Sequence, residues 1–209
     1  MILHLDEQNL VTAADFLGAQ DSSLALVIHR YGYPPLWARE QSFASLVHII
    51  LEQQVSLESA RAAFNRLNTR LGIVSPANFL TLTDDELLVI GFSRQKKMYV
   101  RGVAEAILTG NFSVENLSLL NDHEVKNDLK KLKGIGDWTA DVYLLFSLRR
   151  PDVLPKGDIA LYEAIRSLKN LDKRPDYDQF IALTDHWRPW RSVGCRLLWH
   201  FYLCERGRS

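Results

Sequence analysis

Cysteine is scarce in this 209-residue chain, with only Cys195 and Cys204 present. Two thiols supply neither a disulfide framework nor a four-thiolate metal or iron–sulfur site. A reducing, cytosolic setting fits them best. The chain also lacks an apolar run long enough to span a bilayer. Its start, Met1 to Asp6, is too short and turns acidic too early for a signal peptide. Charge of neither sign is in excess, since 25 Lys and Arg face 25 Asp and Glu. Bulk charge therefore exerts no pull toward a polyanion, although local basic patches still count. Strand-hairpin pairs, internal repeats and low-complexity linkers are missing too. What is left is ordinary globular composition, 47% apolar and 24% charged. The length suffices for one domain or two small ones, with a real core.

Helical periodicity dominates, so the expected fold class is all-α. Phe43 to Leu51 is apolar at nearly every position and predicts a deeply buried helix. Gln53-Gln54-Val55-Ser56 interrupts it, and Ser56 caps a second helix that runs to about Leu71 and stops at Gly72. Ser75-Pro76 is a cap followed by proline in the first turn. Thr83 to Glu86 forms a capping box before Leu87, with Gly91 as the stop. Ser93 starts a helix ending near Gly110, and Asn121 with Glu124 opens another. Trp138 to Leu148 is strongly apolar and ends at Arg149-Arg150-Pro151. Asp158 precedes Ile159, Leu161, Ala164, Ile165 and Leu168 at helical spacing, and two more helices flank Pro189 in the tail.

The stretch with most chemical content is Lys133-Gly134-Ile135-Gly136-Asp137-Trp138, followed by Asp158 in Leu154-Pro155-Lys156-Gly157-Asp158. Glycines let the backbone take φ > 0 and approach a ligand closely. A helix beginning just after such a turn offers unpaired N–H groups and partial positive charge, which suit a phosphate. Taken alone, Asp158 is a routine helix N-cap.

These residues, Lys133 to Ala140 with the downstream Pro155-x-Gly157-Asp158, resemble the helix-hairpin-helix DNA glycosylases, and most of all the 3-methyladenine DNA glycosylase II branch. Three further segments agree in order. Gln53-Gln54-Val55-Ser56 is similar to the family's Gln-Gln-Ile/Val-Ser turn. Gly91 to Lys97 is similar to its Gly-x-x-x-x-Lys helix start, and Trp187 to Ser192 to its Trp-x-Pro-Trp-Arg-Ser segment. The match spans roughly residues 41 to 204. Only about forty residues precede Gln41, so the β-rich N-terminal domain of some members is not expected, and the four spaced cysteines of the iron–sulfur branch are missing.

The resemblance implies a monofunctional glycosylase that releases alkylated purines of the 3-methyladenine type after base flipping. It acts on damaged double-stranded DNA as a monomer, away from membranes and in the cytoplasm. Asp158 aligns with the catalytic aspartate, where a fixed carboxylate stabilises the cationic sugar transition state or activates a water. The positive end of a helix suits a negative charge, so capping and catalysis are compatible. Trp138 stands where strand-cutting members carry a lysine nucleophile, and indole forms no Schiff base. Gly134, Ile135 and Gly136 are the expected phosphate-binding turn, with Lys133, Lys96 and Lys97 nearby and Arg94, Arg101, Lys130 and Lys131 as further cations. Backbone carbonyls of Lys130, Leu132 and Ile135 map onto the family's monovalent-cation site, and no other cofactor is implied.

Gln54 aligns with the wedge that fills the gap left by a flipped base. Trp138 and Trp199 align with aromatic pocket walls, where an electron-rich ring face suits a cationic purine. Tyr143 is a nearby candidate, while the usual pocket tyrosine is Val142 here. His48 lies on an apolar face and is expected in the core. Residues 41–154 should form one helical lobe and 1–40 with 155–209 the other, the base pocket lying in the cleft between them. Two alternatives stay open: a non-catalytic helix-hairpin-helix DNA-binding module, and a glycosylase for oxidised or deaminated bases.

Overall fold

A computed structural model describes residues 4–207, so Met1 to Leu3 of the opening segment lie outside the described residues. Twelve α-helices follow one another, with no strand among the described residues. They are α1 (Glu7–Gln20), α2 (Ser22–Tyr31), α3 (Phe43–Glu52), α4 (Leu57–Leu71), α5 (Pro76–Leu80) and α6 (Asp84–Ile90). Then come α7 (Arg94–Leu108), α8 (Asp122–Lys130), α9 (Asp137–Phe146), α10 (Ile159–Leu168), α11 (Tyr177–Thr184) and α12 (Arg191–Cys204). Short 3-10 turns cover Glu115–Leu119 and Asp185–Trp187. Periodicity located α3 to α12 but left α1 and α2 unassigned. Yet Leu10, Ala13, Ala14 and Leu17 bury one face of α1 at helical spacing.

The chain divides into two compact units: residues up to Ala38 together with those from Arg149 onward, and Arg39–Leu148. Each is organised around one nearly all-round buried helix. In the central unit this is α3, which buries Phe43, Leu46, Val47, Ile49, Ile50 and Leu51 and packs on α4, α7 and α9. His48 lies on the same helix, stacked on Phe64 at 4.3 Å, and burial lowers its pKa. In the other unit the equivalent is α12, whose Val193, Cys195, Leu197, Leu198 and Phe201 pack toward α1, α2 and α10. Gly194 lets α12 ride against Trp187. A Cβ there would stand 2.3 Å from the indole, so the close approach needs glycine.

Side chains cap ten of the twelve helices: Asp6, Asp21, Ser42, Ser56, Ser75, Thr83, Ser93, Asn121, Asp158 and Asp176 each accept a first-turn N–H. The exceptions are α9, which starts at Gly136, and α12, which starts at Trp190.

Asp21 does more than cap α2. Its buried carboxylate takes Lys169 Nζ at 3.0 Å, Trp187 Nε1 at 3.0 Å and His186 Nε2 at 3.2 Å, tying α2 to the end of α10 and to the turn before α12. Burial alone would raise its pKa. The hydrogen bonds from Lys169 and Trp187 outweigh that and bring it from 3.8 down to about 2. The stabilisation is therefore whole above the free value and is lost as pH falls through the folded one. It amounts to roughly 2 kcal/mol. Denaturant melts of wild type and Asp21→Asn should show a stability gap at pH 6 that narrows by about this amount between pH 4 and pH 2; a pH-independent gap would refute the ion-pair account.

Candidate active site and nucleic-acid interface

The hairpin lies entirely in the central unit, where α8 leads through Lys131–Gly136 into α9. Gly134 has φ +90°, and a Cβ on it would stand 2.2 Å from the Tyr99 ring of α7. Glycine is required there twice over, by backbone and by space. Gly136 is different, because its φ of −99° is ordinary and no atom would lie within 4 Å of an added Cβ. Its openness keeps the start of α9 accessible. With no side-chain cap on α9, the N–H groups of Gly134 and Gly136 have no protein partner among the described residues. The Ile135 N–H instead donates inward to Leu132 O at 3.1 Å, so it is a strut of the turn and not one of the phosphate donors expected there.

The cation carbonyls suggested by the resemblance can be tested for fit. Those of Lys130 and Ile135 accept no hydrogen bond among the described residues, and that of Leu132 accepts only the Ile135 N–H. Neutral oxygens with spare lone pairs suit a hard monovalent cation, so the set fits.

The expected cations divide. Lys96 is half-buried and donates to Leu51 O at 2.7 Å, and burial lowers its pKa. It braces the end of α3, contrary to its expected place among the phosphate ligands. Lys97 and Arg101 are both drawn to Asp84, at 3.1 and 3.0 Å. Lys130 bridges to Asp137 at 2.6 Å and Lys131 to Asp128 at 2.6 Å. Lys133 is exposed and forms no ion pair among the described residues. It lines an open groove of about 780 Å³ along α7 with Arg94, Gln95, Met98 and Arg101.

On the other side of the hairpin stands the turn after α3. Gln53 donates through Nε2 to Gly134 O at 3.0 Å and to Thr139 Oγ1 at 2.9 Å. Gln54, beside it, is exposed with φ +57°, a conformation that costs a non-glycine residue about 1 kcal/mol or more. Trp138 is half-buried in the first turn of α9. Tyr143, on the same helix, is completely buried, and its hydroxyl has no hydrogen-bond partner. Burial pushes its phenol well above 10.0. A ring without exposed surface presents no wall to an entering base, which corrects its candidacy for the pocket. The packed core around α9 takes it, as it takes Val142.

In the other unit, Asp158 caps α10, accepting the Leu161 N–H at 3.0 Å on Oδ1. The same oxygen accepts Trp199 Nε1–H at 3.3 Å from α12. The carboxylate is 8% exposed. Trp199, expected as a pocket wall, is thus also a hydrogen-bond donor that orients Asp158. No spacing rule signals a pairing across 41 positions. The preceding loop is pinned where the Gly157 N–H donates to the Tyr162 hydroxyl at 2.8 Å. No group of three or more His, Cys, Asp or Glu residues among those described is placed to hold a metal ion.

Residues 47–189 match the HhH-GPD superfamily base excision DNA repair proteins. The chain belongs to this family. A DNA-3-methyladenine glycosylase of Bacillus subtilis is 32% identical over 56% of the chain. The chain spans 65% and 39% of the length of two Bacillus subtilis relatives that it matches. Among solved structures, the Schizosaccharomyces pombe 3-methyladenine DNA glycosylase in complex with abasic DNA superposes with a TM-score of 0.85 at 25% identity, covering 93% of this chain and 97% of that one. The Bacillus halodurans DNA-3-methyladenine glycosidase gives 0.73 at 30% identity, covering 99% and 95%.

Two outcomes follow for stability. Gly134→Ala should lower it by at least about 2 kcal/mol through positive φ and the Tyr99 clash, whereas Gly136→Ala should change it by less than about 0.5 kcal/mol; equal losses in chemical denaturation would contradict the geometry. Tyr143→Phe removes a buried, unsatisfied hydroxyl. It should leave the melting temperature unchanged or raised and should not alter base release, and a loss of turnover would return Tyr143 to the pocket.

Proposed function

We propose that this protein is a monofunctional DNA glycosylase of base excision repair that hydrolyses the N-glycosidic bond of alkylated purines. The observation that carries the reading is Asp158, held at the start of α10 by the Leu161 N–H and the Trp199 indole. The family membership and the named activities of the relatives support it.

An N-alkylated purine is cationic and departs as a neutral base, taking the electron pair of the glycosidic bond. Positive charge then builds on the sugar, and a carboxylate already fixed in place stabilises it without reorganisation. Water adds to the anomeric carbon while Asp158 takes its proton, leaving an abasic site. Because position 138 carries tryptophan, no amine there forms a Schiff base, and the sugar–phosphate chain stays intact. Trp138 and Trp199 are the aromatic faces offered to the cationic base. The Gly134 and Gly136 N–H groups with Lys133 grip the phosphates, Gln54 fills the vacated stack, and the carbonyls of Lys130, Leu132 and Ile135 would hold the monovalent cation. A protein with this task works where the genome is, which is the cytoplasm, at the nucleoid, if the source is prokaryotic. No helix among the described residues is long and apolar enough to cross a membrane.

Asparagine caps helices as well as aspartate does, so Asp158→Asn separates fold from chemistry. On a panel of duplexes carrying methylated, oxidised and deaminated bases, the wild type should release 3-methyladenine most readily. The variant should lose at least about a hundredfold in release, with affinity for abasic duplex within about threefold of wild type. Borohydride should trap no protein–DNA adduct. Unchanged turnover in the variant, or a trapped adduct, would overturn the mechanism.

A further inference from the structure

Gln53 belongs to the turn that carries the wedge candidate, yet its side chain reaches the hairpin 81 positions away. The peptide unit joining Gly134 to Ile135 is held at both ends: its C=O accepts from Gln53 Nε2, and its N–H donates to Leu132 O. Its plane is thereby fixed. The next peptide presents the Gly136 N–H, so the direction of that donor is inherited from the bond to Gln53. The second hydrogen of the same amide goes to Thr139 Oγ1 in the first turn of α9, fastening the helix start as well. Both donors of the amide are used, and Gln53 is only half-exposed.

At its other end Gln53 is anchored equally firmly. Its N–H donates to Ile50 O at 3.3 Å, and the neighbouring Leu51 carbonyl takes the Lys96 ammonium at 2.7 Å. Gln54 follows immediately in the left-handed region. With both flanks tied down, a shift of the hairpin toward or away from a strand must move the Gln54 turn with it.

We propose that Gln53 is a positioning residue that makes the strand grip at Gly134–Gly136 and the wedge turn at Gln54 one mechanical unit, so that holding the phosphates and entering the base stack occur together. The proposal rests on reading the hairpin as the phosphate grip and Gln54 as the wedge.

The test uses Gln53→Met, which keeps the length of the side chain and removes both donors. The probe is a duplex with a tetrahydrofuran abasic-site analogue and 2-aminopurine on the opposite strand. Anisotropy reads the grip, and 2-aminopurine fluorescence at saturating protein reads wedge entry. Gln53→Met should weaken binding roughly tenfold and cut the fluorescence change. Gln54→Ala should cut the fluorescence change and sets the reference for loss of the wedge. In the double variant the fluorescence loss should not exceed that of Gln54→Ala alone. Thr139→Val, which removes one acceptor, should repeat the Gln53→Met pattern in smaller measure and serves if Gln53→Met fails to fold. A folded Gln53→Met (or, failing that, Thr139→Val) protein with unchanged affinity and fluorescence would overturn the proposal, as would fluorescence losses that multiply. Neither reading requires base release, so a wild type that excises no lesion would sink the glycosylase reading separately.

Discussion

The peptide between Gly134 and Ile135 is the constraint on which the central unit's surface depends. A tight turn can present N–H groups outward only if its own inner peptides are already satisfied. Here the Leu132 carbonyl and the Gln53 amide satisfy one such peptide completely, while the Tyr99 ring closes the space where any other residue would place a Cβ. What is left without a protein partner among the described residues is the pair of N–H groups of Gly134 and Gly136. In a protein that caps ten of its twelve helices with a side chain, the uncapped start of α9 is where the proposed phosphate grip would find its acceptor-free donors.

The other unit buries two carboxylates, Asp21 and Asp158, among hydrogen-bond donors. Asp21 gathers lysine, indole and imidazole to join three elements. Asp158 takes a backbone N–H and an indole N–H on one oxygen. Both are N-caps held by a tryptophan, but one serves cohesion and the other the proposed reaction. Each central helix, α3 and α12, is buried nearly all round, α12 with Ser192 and Arg196 inside it, and the hairpin donors and Asp158 sit at element ends.

Much of this was legible in the sequence. Caps announce themselves because Ser, Thr, Asp and Asn bond locally, within three residues, as Thr83 and Asn121 do with Glu86 and Glu124. The glycine turn was visible because only glycine tolerates what Gly134 meets. Contacts between distant elements were not visible, since period and propensity are blind to them. Nothing near Gln53 points to Gly134, nothing near Trp199 points to Asp158, and nothing near Lys96 says that its ammonium ends on the α3 carbonyl. Tyr143 misled for the same reason: helical spacing gives the face of a helix but not what covers it. In α1 the spacing was present and went unassigned, because small alanines at two of its four buried positions weaken the apolar pattern.

The double duty proposed for Asp158 has a genetic consequence. Aspartate and asparagine codons differ by one nucleotide, and asparagine is an equally good cap. On the proposed mechanism, one base change would therefore yield a protein that folds, keeps its hairpin, binds its lesion and does not release the base. A deletion leaves the lesion uncovered, whereas such a protein would stay bound over it. In a cell carrying both versions, the altered protein would compete with the wild type for the same lesions.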